Sequence, residues 1–376
     1  MNNTKRVCIV VNGKFHAFDY AYELQQRGLL FKLISTMPFS VARKYGIKRR
    51  NYVGLPVLEL LKRFSRVVFK KELNPTIYSR LFNFCANVFV PKNVDVLIGF
   101  AGFSKEIFKK NNHTLKILDR GSTHAVANNQ LRSEAAKYHN EVFKANPKSF
   151  LEREFDEYEL ADYILIPSDF VAQTFTNNGI DKEKLLIIPY GFSHAKFELT
   201  ISNKNRKRNV VLFVGQLSAR KGVGVLIDAF SKLYEENDSI ELWLVGAKTN
   251  GFSYDLNKPF IKYFGVLRRQ ELLDKYLTAS IFCLPSFEEG LALVLTEANY
   301  LGLPIIATRN TGIENLVDID DENYVLFEQG NATELALKID KMLKKESSDF
   351  NPALRKSDSS FEWEKYVDQL INLLEK

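Results

Sequence analysis

Short apolar runs rich in β-branched residues alternate with longer amphipathic stretches along nearly the whole chain, and this alternation constrains the fold more than any other feature. The strand candidates are Val7–Val11, Leu30–Ile34, Val94–Gly99, Leu115–Leu118, Tyr163–Ile166 and Leu185–Ile188. After a polar break they resume at Val210–Val214, Ile240–Val245, Ile281–Leu284, Pro304–Ala307 and Tyr324–Phe327. These runs are continuously apolar instead of alternating in and out, which suits strands covered on both faces. Strand and helix in series predict α/β architecture with parallel sheets.

The break is Thr200–Arg208, polar and charged, shortly after the turn Pro189-Tyr190-Gly191. Each half opens with a strand, a glycine turn and a helix: VCIVVNG over Val7–Gly13, and VVLFVG over Val210–Gly215. The expectation is two Rossmann-like domains, 1–195 and 196–360, facing each other across a cleft at the carboxyl ends of both sheets. The last helix is expected over Glu362–Leu374.

Composition fits this picture. With 376 residues, 45% hydrophobic and 26% charged, the chain is long enough for two cores and reads as a soluble globular protein. No uncharged apolar run approaches the roughly 18 residues that span a bilayer. Met1–Arg6 is polar and runs straight into a strand, a pattern unlike a secretory signal. Cys8, Cys85 and Cys283 are too far apart for a zinc site or disulfide framework, so the cytosol is the expected compartment.

The net charge of +7 is unevenly placed. Val41–Lys92 carries twelve Lys/Arg against Glu59 and Glu72 alone. Within Leu55–Lys71, the residues Val57, Leu60, Leu61, Phe64, Val67 and Val68 recur at helical spacing, with Lys62, Arg63, Arg66 and Lys70 on the other side. One reading is a helix covering the core with a solvated basic face. The other is a surface resting on anionic lipid, with the protein peripheral on the inner face of a membrane. Nucleic acid is set aside, because no zinc-finger or RNP-like spacing occurs.

The most specific segment is PSFEEGLALVLTEANYLGLPIIAT, Pro285–Thr308. A strand ends at Pro285, Glu289-Gly290 opens a helix carrying Glu297, and Gly302-Leu303-Pro304 closes it. Such a turn offers free N–H groups and the positive end of a helix dipole, together a phosphate site. Two surface glutamates on an ordinary βαβ unit would give the same spacing.

This segment resembles the Glu-x7-Glu signature of glycosyltransferase family 4, retaining enzymes of the GT-B fold. FVGQLSARKGVGVLIDAF (Phe213–Phe230) resembles the family's strand–glycine–Lys-Gly–helix motif, and LWLVG with FGVLRRQELLDKYLTASIFCLPS its base-binding region. ADYILIPSDF and LLIIPYGF (Ala161–Phe170, Leu185–Phe192) resemble the end of its N-terminal domain. The resemblance covers the C-terminal half almost completely and Asn12 to about Gln130 only loosely.

The resemblance implies a retaining, metal-independent transferase that moves a sugar from a UDP- or GDP-linked donor, with no further cofactor, to a saccharide or lipid-linked saccharide. Polysaccharide or glycolipid assembly of bacterial type is the implied setting. The C-terminal domain would bind the donor and the N-terminal domain the acceptor, with the final helix, 361–376, packing back on the N-terminal domain. Lys221 would hold the diphosphate, helped by Arg220, because the family's usual arginine position is Gln216 here. Glu289 would grip the sugar, Glu297 the ribose, and Val266 the base through its backbone. Gly13, Gly215, Gly290, Leu291, Ala292 and Leu293 complete the donor set, and Ala292 replaces a glycine usual in the family.

On the acceptor side the family places a histidine after an N-terminal strand. The segment ILDRGSTHA offers Asp119, Arg120 and His124, with His16 a weaker second histidine. His124 reads equally as a helix cap. His113, His139 and His194 are assigned to surface or packing. Asp318-Ile319-Asp320 matches an Asp-x-Asp string but sits in a polar loop, so no metal site is expected. No GxGxxG follows either lead strand and no GxxxxGK[ST] occurs, which argues against NAD and P-loop chemistry. Two alternatives stay open: another GT-B enzyme such as a sugar-nucleotide epimerase, and an inactive homologue that binds membranes.

Overall fold

The structure is a computed structural model and describes residues 5–68, 70, 73–192, 206–317, 320–344 and 362–374. Most of the Thr200–Arg208 break, the 195/196 boundary, His194, Lys71, Asp318 and Ile319, and the ends of the 361–376 segment lie outside them.

The first half runs β1 (Val7–Val11), α1 (Ala17–Gln26), β2 (Leu30–Ser35), α2 (Phe39–Lys44), β3 (Tyr52–Gly54), α3 (Pro56–Val68), α4 (Pro75–Asn87) and β4 (Val96–Phe100). It continues with α5 (Lys105–Lys110), β5 (Leu115–Asp119), α6 (Ala125–Tyr138), α7 (Lys148–Leu160), β6 (Tyr163–Ile166), α8 (Asp169–Thr176) and β7 (Leu185–Ile187). In the second half come β8 (Val210–Val214), α9 (Val223–Glu236), β9 (Glu241–Val245), β10 (Ile261–Gly265), α10 (Arg269–Thr278) and β11 (Ile281–Leu284). Then follow α11 (Leu293–Tyr300), β12 (Ile305–Thr308), β13 (Tyr324–Phe327), α12 (Ala332–Lys344) and α13 (Trp363–Leu374).

The strands form two parallel sheets, ordered β3-β2-β1-β4-β5-β6-β7 and β10-β9-β8-β11-β12-β13. Strand order reverses between β1 and β4 in the first and between β8 and β11 in the second. In open α/β sheets such a switch point leaves a crevice at the carboxyl ends, where ligands bind. All five residues of β1, β4 and β8 are buried, as expected of strands covered on both faces.

Each of the eleven expected strands is present within two residues of its sequence bounds. Two strands carry no such signal, β3 and β10, and both are edges. β3 has three residues, and β10 exposes Lys262 and Tyr263. An edge strand needs no continuous apolar run, because one side of it is not enclosed.

The last helix, α13, returns to α1. Arg27 donates to Asp368 at 2.7 Å and to the Glu364 carbonyl at 3.1 Å, and Tyr20 stacks on Tyr366. Gly191 allows this return, since a Cβ there would overlap the Trp363 ring.

The α3 helix departs from the picture of a helix covering the core. Only Leu58 and Ser65 of its thirteen residues are buried. Val57, Phe64 and Val67 are 72%, 55% and 76% exposed, with Leu60, Leu61 and Val68 also open to solvent. Neighbouring α4 adds exposed Ile77 and Phe84, and Val88 just past its end is exposed too. Lys62 reaches over the Tyr78 ring between the two helices.

Candidate active site

Two loops meet at the second switch point. After β8, the chain turns through Gly215 to Lys221-Gly222 and enters α9. Gly222 has φ +69°, and a Cβ there would overlap the Pro285 carbonyl, so only glycine lets the Lys221 loop lie against the loop after β11. The second loop, Pro285–Ala292, is pinned by backbone bonds from Phe287 N–H to Arg220 O (2.9 Å) and Glu289 N–H to Asn310 O (2.9 Å). Thr308 Oγ1 also donates to Ser286 O at 2.6 Å.

These contacts bring two cations onto one carboxylate. Lys221 Nζ lies 2.6 Å and Arg220 Nη1 2.7 Å from Glu289 Oε1. Burial pulls the Lys221 pKa below that of an ordinary lysine, and the charge of Glu289 partly opposes the fall. Glu289 is thus the shared counter-ion of Lys221 and Arg220, and an arriving anion would compete with it. Glu297 stands one turn into α11, half-buried, and accepts from Tyr276 Oη at 2.9 Å. Ala292 caps α11 without a side-chain bond. Leu293 and Val294 then fill the first turn, where N–H groups lack intrahelical acceptors. Gly290 and Leu291 lie just before the cap. Gln216 is exposed beside the pocket, and Val266 is exposed past the end of β10.

Glu288, which sequence spacing did not single out, is more deeply buried than Glu289, at 2%. Its Oε1 accepts from Thr123 N–H (3.2 Å) and Thr123 Oγ1 (3.0 Å), and its Oε2 lies 3.6 Å from Arg220. It therefore ties the loop after β5 to Arg220 and its neighbours. Its only mark in the sequence is the acidic doublet inside an apolar segment. Ser168 Oγ also crosses between the halves, donating to Gly290 O at 2.7 Å. Gly290 itself packs on the Gly121 carbonyl.

The N-terminal candidates separate. His124 is the N-cap of α6: its Nδ1 accepts from Val126 N–H at 3.3 Å, and its ring packs among Phe155, Tyr158 and Phe175. Burial, with Arg120 nearby, lowers its pKa to about 4 and holds it neutral. Of the two readings the sequence left open for His124, the structure shows the cap. Asp119 faces the weaker candidate, His16, whose Nε2 lies 2.8 Å from Asp119 Oδ2. Arg120 turns inward to Glu154 and the Thr123 carbonyl. Gly13, at φ +111°, accepts from Ser35 Oγ at the end of β1. Among the described residues no cluster of three or more potential metal ligands occurs.

Two Rossmann-like parallel sheets, with Lys221, Arg220, Glu288 and Glu289 gathered at the second switch point, define the class, an α/β protein with charged groups where such folds bind ligands. Residues 196–357 match the family of glycosyl transferases group 1. The match lies within the C-terminal half, and the fold of the chain is that of solved GT-B glycosyltransferase structures. It is 24% identical over 271 residues to spore coat protein SA of Bacillus subtilis, covering 63% of this chain and 71% of that protein. It is 30% identical over 172 residues to the amylovoran biosynthesis glycosyltransferase AmsK of Erwinia amylovora, covering 42% of each. Among solved structures, Anabaena HepE in complex with UDP-glucose superposes with a TM-score of 0.66 at 14% identity, covering 98% of this chain and 99% of that one. In several other curated relatives the match spans roughly half the length. No described helix is long and apolar enough to cross a membrane.

Proposed function

We propose that the protein transfers a sugar from a nucleotide-diphospho-sugar to a saccharide or lipid-linked saccharide, with retention of anomeric configuration, in polysaccharide or glycolipid assembly. The observation that carries this reading is the convergence of Lys221 and Arg220 on Glu289 at the switch point between β8 and β11. A leaving diphosphate needs fixed positive charge as the bond to the sugar breaks. Two cations and the first turn of α11 supply it, so the reaction needs no metal in this reading. The diphosphate displaces Glu289 from the cations and frees its carboxylate for the sugar hydroxyls. Glu297, already an acceptor for Tyr276, takes the ribose diol, and the Val266 backbone meets the base. The nucleotide is uridine or guanosine; HepE, whose fold is shared, was crystallised with UDP-glucose.

The acceptor enters from the N-terminal domain, whose α3 and α4 turn an apolar face to solvent beside a strongly basic stretch. That combination suits peripheral attachment to an anionic membrane, where a lipid-linked acceptor would be presented. The test is a thermal-shift screen of UDP- and GDP-linked sugars. At least one raises the melting temperature of the wild type, and Lys221→Met abolishes the shift. Stabilisation by none of them, or an equal shift in Lys221→Met, refutes the reading.

A further inference from the structure

One apolar ring stands open at the first switch point. Strand order reverses there between β1 and β4, and the crevice at such a reversal is where open α/β sheets take their ligands. Phe15, just past β1, is 62% exposed. Its ring lies near-parallel to that of Phe100, the last residue of β4, with centroids 5.9 Å apart and 21° between the planes.

The backbone is bent to present that ring. Phe15 adopts φ +41°, a conformation a bulky residue holds only where the surrounding structure imposes it. Both flanks supply the constraint. Before it, Gly13 runs at φ +111°, and a Cβ there would come within 3.3 Å of the Phe15 ring. After it, His16 is fixed by Asp119 at 2.8 Å and by the Tyr190 ring at 4.3 Å. Lys14, also exposed, turns to the Tyr45 ring at 4.8 Å, past the end of α2.

The same loop lies between the exposed helices and the donor loop. Tyr78 of α4 donates from Oη to Asn12 Oδ1 at 3.2 Å, and Lys62 of α3 lies over the Tyr78 ring at 5.6 Å. On the other side, a Cβ on Gly121 would stand 3.6 Å from His16 Cε1, and the Gly121 carbonyl packs against Gly290, next to Glu289.

We propose that Phe15 is the platform on which the acceptor saccharide stacks a pyranose ring. The inference rests on the function proposed above and names a residue that selects for sugar at the acceptor end. A pyranose turns polarised C–H groups to one face and hydroxyls to its rim, and the electron-rich face of an aromatic ring attracts the C–H groups. The hydroxyls meet the polar surroundings of the loop, with Asn12, Lys14 and His16 as its side chains. A hydrocarbon chain needs a continuous apolar track, whereas Phe15 is a single exposed ring between Lys14 and His16. A lipid-linked saccharide with its chain along α3 and α4 brings its sugar to this loop.

The test is NMR of the wild type with ring-labelled phenylalanine, Phe15→Leu assigning the resonance. The probes are the methyl glycosides of glucose, galactose, mannose and N-acetylglucosamine, with geraniol as an apolar chain, each added with UDP or GDP present. At least one glycoside should shift the Phe15 signal, and saturation of aromatic protons should reach that glycoside's C–H protons. Phe15→Leu keeps apolar bulk without an aromatic face and should cut the transfer about fivefold, while Phe15→Tyr should hold it within about twofold. A shift from geraniol alone or from no probe, undiminished transfer in Phe15→Leu, or equal losses in the two variants overturns the proposal even if nucleotide sugars bind. A wild type that no nucleotide sugar stabilises overturns the reading beneath it, and the platform with it.

Discussion

Gly290→Ala tests whether the seam between the domains sets the geometry of the site. A Cβ at position 290 would stand 1.9 Å from the Gly121 carbonyl oxygen, whereas real Cβ contacts essentially never fall under 3.0 Å. Both partners of the clash are backbone, so no side chain can swing away. The loops after β5 and β11 must part by about 1 Å, a misplacement that can cost roughly 100-fold in rate. Lys221, Arg220 and Glu297 all belong to the C-terminal domain and move with it, so donor affinity should change less than threefold. Overpacking costs about 1–3 kcal/mol. The assay is steady-state nucleotide release, with donor affinity from calorimetry. The expected result is kcat down about 100-fold with donor Kd preserved. A Gly290→Ala enzyme with wild-type kcat would refute the reasoning, as would equal losses in kcat and affinity.

Other expectations follow from the same geometry. Glu297→Gln should weaken donor binding about tenfold, the worth of one charge-assisted hydrogen bond, and leave kcat nearly unchanged; calorimetry with the stabilising donor checks it. Replacing Leu60 and Phe64, both exposed on α3, with glutamate should abolish flotation with anionic vesicles. Wild-type flotation should fall as salt rises, and indifference to lipid charge and salt would remove the membrane surface. His124 is held neutral, with a folded pKa of about 4 against about 6.5 unfolded, so the unfolded chain binds the extra proton between those values. The stability it contributes is present above pH 6.5 and is lost as pH falls toward 4, by about 1 kcal/mol per pH unit at most. His139, lowered mainly by burial, acts in the same direction. His124→Asn keeps a cap and should flatten the dependence in urea titrations at pH 5 and pH 7.

Much of the fold was legible because buried parallel strands write themselves as continuous apolar runs. β1, β8 and β11 could be bounded to the residue. The edge strands β3 and β10 could not, since an edge is not enclosed on one side and keeps polar residues. The cluster of Lys221 and Glu289 was legible for a related reason: both come from loops at the switch point, where short glycine-bearing turns fix position in sequence and space together. The other wall was not. His16 and Asp119 are 103 residues apart, and no spacing rule joins the end of β5 to the start of α1. His124 lies close to Asp119 in sequence, yet it caps α6 and its ring turns into the core. Glu288 has no spacing signature, because its role is set by Thr123 of the opposite domain. Whether α3 covers a core or faces outward was likewise undecided, since its amphipathic pattern reads the same either way.

The central claim is that the pocket of Lys221, Arg220 and Glu289 holds a nucleotide-diphospho-sugar and releases its sugar with retention. Proton NMR of the anomeric region, followed during turnover of the stabilising donor by the wild type and Lys221→Met, tests it most directly. The account predicts a first-formed product with the donor's own anomeric configuration, and turnover reduced at least 100-fold in Lys221→Met. A first-formed product of inverted configuration, or undiminished turnover by Lys221→Met, would contradict it.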